Sequence, residues 1–355
     1  MNMSWKDNIR RVVPYTPGEQ PKNTDVIKLN TNENPYPPAP GVAETMKTLG
    51  TDDLRLYPDP AASELVHAIA EHYGLDDSEV FVGVGSDDVL AMSFMTFFNS
   101  DKPILFPDIT YSFYDVWADM LRIPYRKVPL DADLHIRAED YREPNGGIVF
   151  PNPNAPTGAL LPVETVEEIV RSNPDSIVIV DEAYIDFGGV SALPLIHKYD
   201  NVVITQTFSK SRGLAGLRIG YAMASAPLIH YLNDVKYSFN SYTMNRMTIR
   251  LGAASAKDSA YLAETCGKIM KTRAKAAEEL RKLGFHCDDS YSNFLFVTHE
   301  RVPAKEIFDF LKTKNIFVRW FNQDRIRNYL RITIGTDEQM ETLIRVLTEY
   351  LAERA

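Results

Sequence analysis

Ile177-Val-Ile-Val-Asp-Glu-Ala-Tyr184 is the stretch that decides how this chain is read. Its first four residues are apolar and β-branched with no alternation. That is the pattern of a strand covered on both faces, not of one that shows a side to water. The acid that follows closes the strand, where a carboxylate is costly unless something answers it. The same texture repeats in both directions. Val80–Val84, Ile104–Phe106, Tyr125–Val128, Ile148–Phe150, Val202–Thr205 and Ile219–Met223 read as further short strands. Between them Leu65, Ile69 and Tyr73 keep helical spacing, and Val89–Phe98, Ser112–Leu121 and Val163–Ser172 have helical pattern or composition. Covered strands alternating with helices predict an α/β unit, a mostly parallel sheet with helices on both faces. Sites in such sheets gather at the carboxyl ends of the strands.

The two ends of the chain differ from this middle. Pro14, Pro17, Pro21, Pro35, Pro37, Pro38 and Pro40 forbid long helices, so residues 1–40 are expected to run as an extended arm. Past residue 250 come a long helical stretch, Ser259–Leu283, three short strands, Phe294–Val297, Phe317–Trp320 and Leu330–Ile334, and the helices Ala304–Thr313 and Asp337–Leu351. The expected division is an arm at 1–40, a large unit at 41–250, and a small α+β unit at 251–355 to which the arm contributes.

Composition narrows the partners. The formal charge is −10, which argues against nucleic acid, a ligand that wants a basic face. Cys266 and Cys287 are the only cysteines, so no disulfide framework or multi-cysteine metal site is expected. The seven histidines are scattered and none sits in H-E-x-x-H, so no metal is expected either. No apolar run reaches the ~18 residues of a membrane span, and the opening MNMSWKDNIRR has no apolar signal segment. The expectation is a cytoplasmic protein without a membrane partner.

Five segments at predicted strand ends carry chemistry. In Thr207-Phe-Ser-Lys-Ser-Arg-Gly-Leu-Ala-Gly-Leu-Arg-Ile-Gly-Tyr221, Lys210 follows a buried strand and precedes a glycine-containing loop, a partly desolvated place that suits an amine nucleophile. Ser209 and Arg218 flank it and can hold a phosphate. Asp181 can pair with a protonated ring nitrogen, and Tyr184 can present its hydroxyl to the same ligand. Val82-Gly-Val-Gly-Ser-Asp-Asp88 runs a strand into a helix start, where unpaired N–H groups favour an anion. The dinucleotide pattern G-x-G-x-x-G fails there, because its third glycine is Asp88. Phe150-Pro-Asn-Pro-Asn-Ala-Pro-Thr-Gly158 is a rigid turn with amides in reach of a ligand, and Tyr111 can lay its ring on a flat cofactor. Each also has a plain reading: a solvated basic loop, a strand-end acid, a helix start capped by Ser86 or Asp87, a simple turn, a core aromatic. Together they supply an amine, a carboxylate, a flat ring, a helix N-terminus and an arginine at one sheet edge. That is what pyridoxal 5′-phosphate demands.

On these motifs the chain resembles the fold-type-I pyridoxal-phosphate-dependent aminotransferases, and among them the histidinol-phosphate branch. The likeness runs over essentially the whole chain. It rests on Asn32-Glu-Asn-Pro35, Leu56-Tyr-Pro58, Gly85-Ser-Asp-Asp88, Thr110-Tyr111, Asn154-Ala-Pro-Thr-Gly158, Asp181-Glu-Ala-Tyr184, Ser209-Lys210 and Leu330-Arg-Ile-Thr333. Aminotransferases of aromatic amino acids and decarboxylases of phosphothreonine share much of it. The resemblance implies that Lys210 carries the cofactor, Asp181 pairs with its ring nitrogen, Tyr184 donates to its phenolic oxygen and Tyr111 stacks on the ring. It further implies that Ser86, Asp87, Ser209 and Arg218 hold the phosphate. Tyr57 would reach the cofactor of a neighbouring subunit, making a homodimer. Arg331, Arg319, Tyr15 and Asn32 would meet the substrate, an amino acid, oxo acid or phosphate. One position departs from the family. The asparagine usual before Pro-Thr-Gly is Ala155 here, so either Asn154 substitutes for it or Tyr184 acts alone.

Overall fold

Seven strands assemble around the Val178–Asp181 stretch. In the computed structural model, which describes residues 4–21 and 25–354, the chain forms a 3-10 turn at Trp5–Asn8 before a short first strand β1 (Ile27–Lys28). It then lays down β2 (Val80–Val84), β3 (Ile104–Pro107), β4 (Tyr125–Val128), β5 (Ile148–Pro151), β6 (Val178–Asp181), β7 (Val202–Thr207) and β8 (Ile219–Ala224). The large sheet has the order β2-β8-β7-β6-β5-β3-β4. Pairings from β4 through β7 are parallel, and β8 lies antiparallel between β7 and β2. The unbroken apolar runs are explained by the layers. Val178, Val180, Val202 and Ile204 face one hydrophobic layer and Ile179 and Val203 the other, all fully buried. Each such side chain is worth about 1.5–3 kcal/mol in burial, so neither face can be polar.

The reversal of β8 positions the site. The loop from Phe208 to Arg218 folds straight back, and the Phe208 N–H donates to the Ile219 carbonyl. The start of β8 therefore shares an edge with the carboxyl ends of the other six strands, and Arg218 returns to the side where Lys210 sits. A second difference from the sequence pattern is at the helix expected from Val89, which begins at Ser86 and runs to Phe97. Gly85 is its N-cap, at φ +86°, and no side chain caps it; neither Ser86 nor Asp87 takes that part.

The C-terminal strands β9 (Phe285–Cys287), β10 (Phe294–His299), β12 (Arg319–Trp320) and β13 (Leu330–Thr333) form an antiparallel sheet in the order β12-β13-β10-β9. The segment expected as one strand at Phe317–Trp320 is split. β11 (Ile316–Phe317) pairs with β1 in parallel, and after the buried Val318 the chain joins the other sheet as β12. The N-terminal segment is thus stitched to the C-terminal unit, with Leu29 inside its core. Tyr184 and Ala155, from the edge of the large sheet, pack into that same core, so the cleft lies where the two layers of structure meet. Among the described residues no helix is long and apolar enough to cross a membrane, and no cluster of His, Cys, Asp and Glu could hold a metal ion.

The backbone contact under this edge gives a stability prediction. A Cβ on Gly220 would lie 2.3 Å from both the Gly85 carbonyl carbon and the Ser86 nitrogen. Gly220→Ala must push the helix start away, an overpacking cost of about 1–3 kcal/mol. Its melting temperature should fall by several degrees, whereas Gly216→Ala, whose Cβ meets nothing within 4 Å, should melt like the parent in the same calorimetric scan.

Candidate active site

The carboxyl edge of the large sheet carries Asp181 at the end of β6 and Lys210 just beyond β7. Asp181 is 4% exposed. Its carboxylate accepts from the Tyr114 hydroxyl at 3.0 Å and from Thr205 Oγ1 at 3.5 Å. Among the described residues no cation pairs with it. Burial pushes its carboxyl up to about 6, and the nearby charge of Asp87 adds to the rise, while the bonds from Tyr114 and the Ala183 N–H oppose it. Lys210 is fixed from behind: Asn34 Nδ2 donates to the carbonyls of Lys210 and Ser211, at 3.0 and 2.9 Å. Its own Nζ has the Thr31 carbonyl at 3.3 Å.

Beside them a recess of about 170 Å³ is lined by Ser86, Asp87, Asp181, Ser209, Lys210 and Arg218. The uncapped start of the helix Ser86–Phe97 closes one side. Its first N–H groups and the helix dipole favour an anion there. Arg218 sits at φ +55°, a left-handed backbone that costs a non-glycine residue about 1–2 kcal/mol. The strain turns its guanidinium back over the helix start, where Nη2 meets Asp87 Oδ2 at 3.2 Å. A Cβ on Gly85 would lie 2.3 Å from that Nη2. Tyr111 donates to Asp87 Oδ1 at 2.6 Å, and burial first, then the Asp87 charge, holds its hydroxyl protonated well above the usual range.

The recess opens into a cleft of about 500 Å³ that adds Tyr15, Asn32, Phe321, Arg319 and Arg331. Arg319 and Arg331 are cross-strand partners on β12 and β13. Arg331 lies over the rings of Phe294 and Phe321 and donates Nη2 to the Asn30 carbonyl at 3.1 Å. Burial makes its proton less tightly held, and Arg319 adds to that, so an anion between the two would relieve both. Asn32 donates Nδ2 to the Tyr184 hydroxyl at 2.9 Å and accepts from Thr333 Oγ1 at 3.0 Å. Tyr15 stacks on Phe113 with centroids 4.2 Å apart.

Two residues named from the sequence are elsewhere. Tyr57 is 79% exposed, lies against Tyr242, and borders a separate concavity with Asp53 and Arg246. Asn154 is turned into its own loop, where Nδ2 donates to the Ile109 carbonyl and to Thr157 Oγ1, both at 3.1 Å. Ala155, not Asn154, lines the cleft, so a substitute role for Asn154 does not fit the geometry. Sequence reasoning passed over Tyr114 and Asn34. Tyr114 lies three residues after Tyr111, and the turn closed by the Tyr114 N–H on the Tyr111 carbonyl at 3.3 Å brings the two rings to 5.8 Å between centroids. Asn34 lies inside the Asn32–Pro35 motif but acts on main-chain carbonyls, which no side-chain pattern reveals.

Comparison with known proteins agrees with this geometry. The sequence matches the family Aminotransferase class I and II over residues 24–347. The chain belongs to that family. Among curated aminotransferases it is similar to the histidinol-phosphate aminotransferase of Lactococcus lactis subsp. cremoris (strain MG1363), 51% identical over 352 residues that cover 99% of each chain. It is likewise similar to the histidinol-phosphate aminotransferase of Clostridium beijerinckii, 50% identical over 347 residues, 98% of this chain and 97% of that one. Among solved aminotransferases, the histidinol-phosphate enzyme of Sinorhizobium meliloti, in complex with pyridoxal-5′-phosphate, superposes with a TM-score of 0.84 at 26% identity, over 93% of this chain and 92% of the other.

The buried acids set a pH dependence for the ligand-free protein. Asp181 stands at about 6, and Glu182, buried on the opposite face, at about 7 despite bonds from Ser191, Ala192 and Gln206. Both values are raised above the unfolded ones. The folded state therefore binds the extra protons, and the stability these bring is full below about 4 and lost as pH rises through 6 and 7. Melting temperature should drop between pH 5 and pH 8. Asp181→Asn should remove the lower part of the slope and Glu182→Gln the upper; an identical slope in both variants contradicts the assignment.

Proposed function

We propose that this aminotransferase uses pyridoxal 5′-phosphate to exchange an amino group between histidinol phosphate and 2-oxoglutarate, giving 3-(imidazol-4-yl)-2-oxopropyl phosphate and glutamate, a step of histidine biosynthesis. The observation that carries the reading is the buried carboxylate of Asp181, paired with no cation among the described residues, beside Lys210 in a recess closed by an uncapped helix start and Arg218. A protonated pyridine nitrogen is the cation such a carboxylate lacks, and a phosphate is the anion such a helix start and arginine take. The donor set thus fits the cofactor. The near-full-length likeness to histidinol-phosphate aminotransferases at about half identity supports the substrate.

When bound, the cofactor supplies an electron-accepting ring and carries the amino group between the two half-reactions. Lys210 would hold it through Nζ, and the same amine is the base placed to take the substrate's Cα proton and the acid placed to return it. Asp181, steadied by Tyr114 and Thr205, would pair with the cofactor's ring nitrogen. Tyr184, oriented by Asn32, would donate to the cofactor's phenolic oxygen, and Tyr111 would stack on the ring. Ser86, Asp87, Ser209 and Arg218, which line the recess, would hold the phosphate. Arg331 and Arg319 grip the phosphate of one substrate and the carboxylate of the other, and Tyr15 closes the cleft from the arm. The same reading assigns the arm (1–40) to the small unit (251–355), supported by the pairing of β1 with β11, and leaves 41–250 as the cofactor unit. It places the enzyme in the cytoplasm. It also makes the active form a homodimer, in which the exposed Tyr57 reaches the cofactor phosphate of the partner.

Purified protein should absorb in the visible, and borohydride should fix the cofactor's mass onto the peptide bearing Lys210. Histidinol phosphate should bleach the band, and Lys210→Ala should lower turnover by at least ~10²-fold with unchanged circular dichroism. Absence of bound cofactor ends the reading; turnover of phenylalanine but not histidinol phosphate moves it to an aromatic donor. Sedimentation should give a dimer, and Tyr57→Phe should weaken cofactor binding about tenfold, the worth of one good hydrogen bond to a charged group. A monomer with full activity removes the dimer.

A further inference from the structure

Among the described residues, four that line the cleft carry a buried polar atom without a hydrogen-bond partner: Asn30 Oδ1, Thr31 Oγ1, Thr110 Oγ1 and Arg331 Nε. Buried polar groups are rarely left so, and a cluster of them on one cavity wall marks places a ligand fills. The two hydroxyls and the guanidinium nitrogen can all donate, which suits phosphate and carboxylate. Asn30 is different. It is 2% exposed, and its Nδ2 donates to the Glu19 carbonyl at 2.7 Å. Flipping the amide would set its oxygen against that carbonyl, so the orientation is settled and Oδ1 is free only to accept. Arg331 bonds the main-chain carbonyl of Asn30 through Nη2, and neither that nitrogen nor its unpaired Nε is bonded to Oδ1.

The ligand must therefore bring a donor. 2-Oxoglutarate and the phosphate bring acceptors only, and the substrate amine is engaged at Lys210. The imidazole N–H of histidinol phosphate is the donor that remains. The phosphate arm and the ring arm leave the same carbon, so a phosphate held by Arg331 brings the ring close to its neighbour Asn30. We infer that Asn30 Oδ1 accepts the imidazole N–H and is a specificity-determining residue for the amine donor. This rests on the histidinol-phosphate reading above. A site built around a donor rejects an equal-sized ligand lacking it, because its own acceptor is then left buried and empty.

The test compares histidinol phosphate with its thiazole analogue, a ring of similar size with sulfur where the N–H stands, in kcat/KM and in calorimetric binding to the holoenzyme. The parent enzyme should prefer histidinol phosphate roughly ten- to hundredfold. Asn30→Ala should bring the ratio of the two substrates close to one. If both substrates fall together in Asn30→Ala, the residue merely ties the arm through Glu19 and the inference fails. Should that variant not fold, the parent enzyme decides alone: equal turnover and equal binding of the two rings overturn it. If the parent enzyme turns over neither, the substrate reading has failed instead, a result distinct from the loss of preference.

Discussion

A carboxylate ends a wholly buried strand at the centre of the large sheet, and among the described residues no cation answers it. The rise of Asp181 from 3.8 to about 6 corresponds to about 3 kcal/mol against its charged form. Three donors soften that cost without removing it, so the charge awaits a partner from outside the chain. Much of the surrounding structure serves that condition. β6 and β7 run parallel to the same edge and set Asp181 beside Thr205. Tyr114 reaches in from the next helix, and Asn34 pins the main chain at Lys210 from the arm side.

The second organising fact is one reversed strand. With β8 parallel to its neighbours, Arg218 would begin at the far edge. Running antiparallel, it starts where Lys210 ends, and the left-handed turn at Arg218 spends local strain to aim the guanidinium at the helix start. Glycine at 85 and 220 permits this crowding, because a side-chain carbon at either position overlaps the recess wall. Charge balance in the molecule follows the same economy. The chain is acidic overall, yet Arg218, Arg319 and Arg331 converge on one cleft. Local basicity for small anions needs three arginines, not a basic protein.

Substrate choice is a matter of what the cleft leaves unfilled. Arginine accepts phosphate and carboxylate alike through its planar fork, which suits two anionic substrates taken in turn. Discrimination between amine donors needs something arginine cannot provide, an acceptor that only one ligand satisfies. The side-chain oxygen of Asn30 has that character, and it sits in the segment that β1 stitches to the C-terminal unit.

The local text of the sequence was enough to determine the covered strands, the long C-terminal helix and the placing of Lys210, Asp181 and Arg218 at strand ends. Burial leaves a signature in consecutive residues, and strand ends are where reactive side chains stand out. Folding in three dimensions decided what depends on contacts between distant segments. The direction of β8, the division of residues 316–320 between two sheets, the turning of Asn154 into its own loop and the approach of Tyr114 to Asp181 are of this kind. So is the pairing that leaves Asn30 Oδ1 empty, since a hydrogen bond between residues far apart in the chain has no period or motif to announce it. Sequence alone thus determined which groups the protein owns, and tertiary structure decided which of them are satisfied and which still wait for a ligand.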